Sequence, residues 1–222
     1  LCDLYLPVNK EATVVIFSHG FKGFKDWGAF NEIASYFKDA GYVFLKFNYS
    51  HNGTTVENPL NFTDLEAFGN NNFSKELYDL NQVINWVEHN LYKKINIKNL
   101  VLLGHSRGGG LSILKGESDN RIDKIISWAS LCDFENRIPK EKIDIWKERG
   151  VVYAYNGRTK QQMPIRFQFL EDYYANKKRL SIPFAAQKLL KPTFIVHGDL
   201  DPTVNIQESR QLHNWIKSSR LC

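Results

Sequence analysis

Cysteine is scarce in this sequence, and the positions of its few cysteines exclude several kinds of chemistry. Only three occur, Cys2, Cys132 and Cys222, and they form neither an even set nor a C-x-x-C pair. A disulfide framework, a cysteine zinc site and a dithiol redox motif are therefore not indicated. Unpaired thiols favour a reducing compartment, which predicts a cytoplasmic protein.

Long apolar runs and a dominant charge sign are also lacking. No run of about 18 or more consecutive apolar residues occurs, so no membrane span is predicted. Among 222 residues, 29 are Lys or Arg and 24 are Asp or Glu, which gives a formal charge of +5. The basic residues form no stripe and match no docking motif, so no nucleic-acid partner is expected. Residues 133–181 carry +4 of this charge, so the excess is local.

Methionine occurs only once, as Met163, so residue 1 is not a translation start. The opening LCDLYLP alternates like a strand in progress, and the closing SSRLC resembles the entry to another strand. We therefore expect that the natural protein continues beyond both ends of this sequence.

Most of the chain alternates between strand-like and helix-like periods. This alternation predicts an α/β fold, with a mostly parallel central sheet and helices on both faces. The predicted strands cover residues 13–20, 43–47, 99–104, 124–130 and 192–198.

The alternation lapses between Cys132 and Pro192, over a segment too long to be a simple connection. This segment is rich in tyrosine, phenylalanine and charged residues. The sequence therefore predicts one incomplete domain, residues 1–222, with an inserted and mainly helical cap at about residues 133–191.

A serine crowded by glycines follows the predicted strand at 99–104. The stretch GHSRG at residues 104–108 matches G-x-S-x-G and precedes a predicted helix. A sharp strand-to-helix turn would expose the hydroxyl of Ser106, and the helix N-terminus would place free N–H groups beside it. The pattern predicts that Ser106 is a nucleophile; a tight turn with an incidental serine is the alternative.

Two further motifs follow predicted strands. The strand at 13–20 ends in SHG and continues into Phe21, where a backbone N–H can join that of Arg107 in an oxyanion hole. His19 is interpreted as a buried, hydrogen-bonded histidine that shapes this turn. The motif HGDLDPTV at 197–204 offers Asp199 and Asp201 as the carboxylate that orients a catalytic histidine. A turn or capping role is the alternative for either aspartate.

The motifs HGF at 19–21, GHSRGG at 104–109 and HGDLDPTV resemble those of the α/β-hydrolase superfamily. The resemblance is to its esterase, dienelactone-hydrolase and prolyl-oligopeptidase-like branches. It implies an eight-stranded, mostly parallel sheet, a lid or substrate-binding wall before the acid strand, and Asp201 as the triad acid. Asp133, which follows the predicted strand at 124–130, is the second choice for the triad acid, because some relatives place the acid after that strand.

The same resemblance implies that the triad histidine follows the acid. Only His213 follows Asp201, and it lies within IQESRQLHNWIK, a predicted helix, so we interpret it as a surface or packing residue. The other five histidines do not fill the gap: His19, His51, His89, His105 and His197. We expect the catalytic histidine to lie beyond Cys222 in the natural protein. Without this histidine, hydrolysis by the chain as given is expected to be impaired.

These observations predict a serine hydrolase that acts on small carboxylic esters through an acyl-enzyme intermediate, without metal or organic cofactor. The aromatic and cationic residues of the predicted cap favour a substrate with an aromatic or anionic part. An ester is favoured over a peptide because no second domain like the propeller of the peptidase relatives is evident. The alternatives are a peptidase of the prolyl-oligopeptidase-like type and a non-catalytic binding module with a hydrolase-like fold.

Overall fold

The computed structural model describes residues 1–9 and 11–222, which form a central sheet, a separate hairpin and flanking helices. The strands are β1 (Cys2–Tyr5), β2 (Glu11–Ser18), β3 (Val43–Phe47), β4 (Asn96–His105), β5 (Lys124–Trp128), β6 (Val151–Asn156), β7 (Gln161–Arg166), β8 (Thr193–Val196) and β9 (Ser219–Leu221). The helices are α1 (Phe30–Asp39), α2 (Leu65–Gly69), α3 (Phe73–Asn90), α4 (Arg107–Ser118), α5 (Ile143–Arg149), α6 (Gln168–Ala175), α7 (Ile182–Lys188) and α8 (Ile206–Trp215).

The central sheet has the strand order β1-β3-β2-β4-β5-β8-β9. Every neighbouring pair is parallel except β1 and β3, which pair antiparallel with Cys2 opposite Phe47. The predicted α/β class with a mostly parallel sheet is confirmed. Among the described residues the sheet has seven strands, where the resemblance implied eight.

Alternation along the central strands divides the core into two layers. In β2, Val14 and Ile16 join the larger apolar cluster with α3, α4, α7 and α8, whereas Val15 and Phe17 join a smaller cluster with α1. Successive side chains of a strand point to opposite faces, so a continuous apolar run is expected for a strand that helices cover on both sides.

The segment between β5 and β8 contains the predicted helices and, in addition, a β-hairpin that the sequence pattern did not predict. Strands β6 and β7 pair antiparallel from Val151 opposite Arg166 to Asn156 opposite Gln161. The sequence of β7, QQMPIR, is half polar and contains Pro164, and a proline within a run argues against a strand. The hairpin lies outside the central sheet, so Pro164 removes no hydrogen bond between strands of that sheet.

Within the described ranges, no helix combines the length and the apolar character that crossing a membrane requires. This agrees with the lack of long apolar runs in the sequence.

Candidate active site

The carboxyl ends of three parallel strands bring the predicted site residues to one edge of the sheet. Strand β2 leads into residues 19–21, β4 leads into Ser106, and β8 leads into the loop that holds Asp201. Ligand sites in open parallel sheets lie at this edge, because the loops that follow the strands converge there.

Ser106 occupies a strained turn between β4 and α4. Its backbone has φ 56° and ψ −119°, in a region that a residue with a side chain rarely adopts. Such strain costs about 1–3 kcal/mol and persists only where the surrounding structure enforces it. The turn places Ser106 at the N-terminus of α4, at the positive end of the helix dipole.

Close backbone packing around this turn leaves no space for side chains at its glycines. A Cβ atom at Gly104 would lie 2.2 Å from the carbonyl oxygen of Gly108. A Cβ atom at Gly108 would lie 2.2 Å from the carbonyl oxygen of Ser18, at the end of β2. Glycine at both positions therefore lets α4 begin directly against β2 and β4.

We predict that Gly104→Ala lowers the free energy of unfolding by about 3 kcal/mol, because the added methyl group meets rigid backbone. Urea unfolding of the variant and the wild type measures this difference. Gly198→Ala is the matched control, since a Cβ there meets nothing within 4 Å. A loss of stability as large in the control would contradict the steric explanation.

The loop after β2 passes beside the serine. A Cβ atom at Gly20 would lie 3.0 Å from Cβ of Ser106 and 3.4 Å from its Oγ. Phe21, Ser106 and Arg107 all line one cavity. The N–H of Arg107 belongs to the first turn of α4 and therefore has no acceptor within its own helix. The two predicted oxyanion donors thus lie on the two segments that flank Ser106.

Asp201 lies on the loop after β8, where two backbone amides hold its carboxylate. Its Oδ1 accepts hydrogen bonds from the N–H groups of Thr203 at 2.7 Å and Val204 at 3.0 Å. Burial alone would raise the pKa of Asp201, but these amides and nearby histidines outweigh it and lower the pKa. The carboxylate is therefore ionised at neutral pH.

Asp201 and Ser106 line a common cavity of about 400 Å³, which we call the Asp201 cavity. Lys22, His105 and Arg158 also line it. The structure thus brings the predicted nucleophile and acid to one cavity, and their catalytic roles stay predictions.

The two alternative acids lie in different surroundings. Asp199 is exposed at the start of a turn. Asp133 follows β5, and its Oδ1 accepts a hydrogen bond from the N–H of Glu135 at 3.0 Å, which is a turn-capping contact. Neither residue lines the Asp201 cavity among the described residues.

Two of the histidines near the site are held by hydrogen bonds to backbone carbonyls. His197 donates from Nε2 to the Val204 carbonyl at 2.8 Å, and its Nδ1 is hydrogen-bonded to the Ser209 hydroxyl at 2.6 Å. Its Nε2 also lies 3.7 Å from Oδ2 of Asp201. His19 is buried and donates from Nδ1 to the carbonyl of Gly20 at 2.9 Å. Burial lowers the pKa of His19 to about 4. His19 is therefore a neutral structural group, and the two hydrogen bonds of His197 fix the orientation of its ring.

His105 lines the Asp201 cavity, but aromatic rings hold its imidazole. Its ring centroid lies 4.7 Å from that of Trp128 and 5.7 Å from that of Phe30, both edge-on. Burial lowers the pKa of His105, although the charge of Asp201 acts in the opposite direction. The hydrogen bonds of the described residues join none of the six histidines to Ser106.

The three remaining histidines bond elsewhere. His213 lies on α8 and contacts the Ser219 hydroxyl at 2.8 Å. His51 contacts the Ser50 hydroxyl at 2.7 Å, and His89 donates to the carbonyl of Asn85 at 2.6 Å on α3.

A second cavity of about 390 Å³ is also lined by Ser106, and we call it the aromatic cavity. Its walls come from α3, α5, α6, the hairpin and the segment after β5. The apolar side chains that line it include Phe73, Leu131, Phe134, Trp146, Ile165 and Phe169. The charged residues that line it are Lys22, Arg107, Arg137 and Lys142, all cationic. This volume and lining suit a small ligand with an aromatic part.

The hairpin contacts the loop that carries Phe21. Lys22 donates from Nζ to the carbonyl of Tyr155 at 2.9 Å, and the guanidinium of Arg158 stacks 3.6 Å from the ring of Trp27. Sequence reasoning missed both contacts. Lys22 has a φ of 55°, but nothing in the sequence around it indicates such a backbone.

The fold and this edge of the sheet define an α/β-hydrolase. The chain belongs to the BD-FAE family, a family of α/β-hydrolase esterases, whose model matches residues 2–216. No curated protein matches the chain significantly.

Solved structures share the fold over the whole chain. Est1E from Butyrivibrio proteoclasticus with ferulic acid bound has a TM-score of 0.75 and 17% identity, with 100% of this chain and 84% of that chain covered. A monoacylglycerol lipase from Paleococcus ferrophilus has a TM-score of 0.71 and 14% identity, with 100% and 86% covered. Mouse alpha/beta hydrolase domain-containing protein 10 has a TM-score of 0.68 and 17% identity, with 99% and 82% covered. The resemblance to α/β-hydrolases is confirmed.

Proposed function

We propose that this protein hydrolyses small carboxylic esters of aromatic acids, with Ser106 as nucleophile and Asp201 as triad acid. The observation that carries the proposal is the aromatic cavity, which opens on Ser106 and is walled by Phe73, Phe134, Trp146 and Phe169. The ferulic acid bound to Est1E, a substituted aromatic acid in a protein of the same fold, supports this class of substrate.

In the proposed mechanism, Ser106 Oγ attacks the ester carbonyl while a histidine takes its proton. The negative charge that develops on the carbonyl oxygen is held by the N–H groups of Phe21 and Arg107. The same histidine then protonates the leaving alcohol, which leaves the acyl group on Ser106. Water attacks this acyl-enzyme, with the histidine again as base, and the acid is released.

The proposal places this histidine after Cys222. Strand β9 runs parallel to β8, with the Cys222 N–H donating to the Ile195 carbonyl at 2.9 Å and the His197 N–H donating to the Cys222 carbonyl at 3.2 Å. A chain that continues past Cys222 therefore leaves β9 at the edge of the sheet that holds Asp201. Sequencing the natural gene beyond this codon tests the placement, and a stop codon directly after Cys222 contradicts it.

A non-catalytic binding module is the second candidate. It is favoured by one observation, that the hydrogen bonds of the described residues link no histidine to Ser106. Hydrolysis that depends on Ser106 decides between the two functions.

The substrate class is tested by narrowing the aromatic cavity. Ala154 on β6 lines it, and Ala154→Trp adds an indole where the aromatic acyl group would lie. We expect kcat/KM for p-nitrophenyl ferulate to fall about 10-fold or more, and that for p-nitrophenyl acetate to change less than about 3-fold. Both esters share a leaving group, so the difference reports the acyl side.

Ala175→Trp is the matched control, because Ala175 is exposed at the end of α6. We expect both substrates to be hydrolysed as by the wild type. An equal loss on both esters in Ala154→Trp would show that the cavity does not hold the acyl group.

A further inference from the structure

The side chain of Arg107 lies among aromatic rings instead of in solvent. Its guanidinium carbon is 4.1 Å from the ring centroid of Phe21, 5.0 Å from that of Phe73 and 5.5 Å from that of Phe169. The side chain is only 10% exposed. A planar guanidinium stacks on aromatic faces in a way that an ammonium does not reproduce.

A buried carboxylate holds this guanidinium from the other side. Nη1 of Arg107 lies 3.3 Å from Oε1 of Glu76, which is on α3 and is 4% exposed at its side chain. The same oxygen accepts a hydrogen bond from Asn71 Nδ2 at 2.7 Å. Burial raises the pKa of Glu76, although Arg107 and Asn71 act to lower it. The contacts with Arg107 and Asn71 place the Glu76 carboxyl group directly against the guanidinium of Arg107.

Burying such a pair is costly, and apolar residues of similar volume often stabilise a fold as well or better. The pair therefore calls for a reason beyond stability. Its geometry supplies one, because Arg107 and Phe21 are the two residues whose backbone N–H groups form the proposed oxyanion hole. The side chain of one donor residue stacks on the side chain of the other.

We propose that the Glu76–Arg107 pair is a positioning device that sets the distance between the two oxyanion donors, by holding the ring of Phe21 against the start of α4. This rests on the proposed function. Preorganised donors stabilise developing charge because they need no rearrangement when the charge forms. An enzyme in which the N–H of Phe21 is displaced would still bind a small ester, but it would stabilise the transition state poorly.

The test compares Arg107→Lys and Glu76→Gln with the wild type of the natural protein, using p-nitrophenyl acetate. We expect kcat to fall about 10- to 100-fold in Arg107→Lys, and somewhat less in Glu76→Gln, with KM within about 3-fold. Affinity for phenylboronic acid, which forms a tetrahedral adduct on a serine, should fall by a similar factor.

Arg166→Lys and Glu66→Gln are the matched controls, because this second Arg–Glu ion pair lies exposed at the surface. Both should leave kcat, KM and boronate affinity as in the wild type. Thermal unfolding midpoints confirm that each variant is folded. If Arg107→Lys and Glu76→Gln are folded and keep kcat within 2-fold, the proposal is overturned. A rise in KM alone would instead assign Arg107 to substrate binding and overturn it as well.

Hydrogen exchange separates this inference from the proposed function. The backbone amides of residues 19–22 should exchange faster in Arg107→Lys than in the wild type, whether or not the protein hydrolyses esters. Unchanged exchange would show that Arg107 does not hold this loop. If the exchange accelerates but the wild type shows no Ser106-dependent hydrolysis, the proposed function fails, and the positioning role fails with it while the contact itself stands.

Discussion

Ser106→Ala is expected to lower kcat for ester hydrolysis by about 10⁴-fold or more, because no other group then forms the acyl-enzyme. The strained turn at φ 56° and the close contact with Gly20 place the hydroxyl of Ser106 beside the loop after β2. The substitution removes only the Oγ atom and leaves the packing of Gly104 and Gly108 intact. The loss should therefore appear in chemistry and not in folding.

Two measurements check this expectation on the natural protein. Hydrolysis of p-nitrophenyl acetate gives kcat, and mass spectrometry after reaction with a fluorophosphonate shows whether the peptide that contains Ser106 gains the label. Ser112→Ala is the control, since Ser112 is a fully buried serine on the same helix. Equal rates for the wild type and Ser106→Ala would establish the binding-module alternative.

Asp201→Asn is expected to lower kcat by about 10³- to 10⁴-fold. Oδ1 of Asp201 is already engaged by the amides of Thr203 and Val204, which an asparagine oxygen can also accept. The substitution therefore keeps the loop and replaces the second oxygen by an NH₂ group. That group cannot accept the ring N–H of the catalytic histidine, so the histidine takes the wrong tautomer and its cation loses a stabilising charge.

Asp199→Asn and Asp133→Asn are the matched controls, each removing one charge from a rival candidate. We expect both to keep kcat within about 3-fold, because exposed Asp199 and turn-capping Asp133 lie outside the Asp201 cavity as described. The ratio of the three kcat values assigns the acid. A larger loss in either control than in Asp201→Asn would move the triad acid to that residue.

Much of the site was predictable because its parts are short motifs whose geometry is local. The run from Leu100 to Gly108 contains a buried strand, a tight turn and the start of a helix, and each follows from neighbouring residues. The same holds for the loop after β2 and for the acid loop after β8. Since parallel strands end at one edge of a sheet, predicting the strands was enough to bring Phe21, Ser106 and Asp201 together.

The substrate side was not predictable to the same depth. The aromatic residues of the segment between β5 and β8 indicated an aromatic substrate, yet the sequence could not tell which of them face Ser106. Trp146 and Phe169 line the aromatic cavity, whereas Tyr155 and Tyr174 are exposed. Their separation depends on the β6–β7 hairpin, which Pro164 and the polar start of β7 concealed.

The sequence by itself determined the class of fold, the strand-to-helix turn at Ser106 and the order of the predicted nucleophile and acid, because these depend on residues adjacent in the chain. Only the tertiary structure decided how the side chains of Phe21 and Arg107 are used. Sequence reasoning left both side chains free, since only their N–H groups were needed. In the folded chain the guanidinium of Arg107 stacks on the ring of Phe21 and contacts Glu76, because α3, α4 and the loop after β2 meet at this point. Contacts between segments that are distant in the chain leave no local pattern in a sequence.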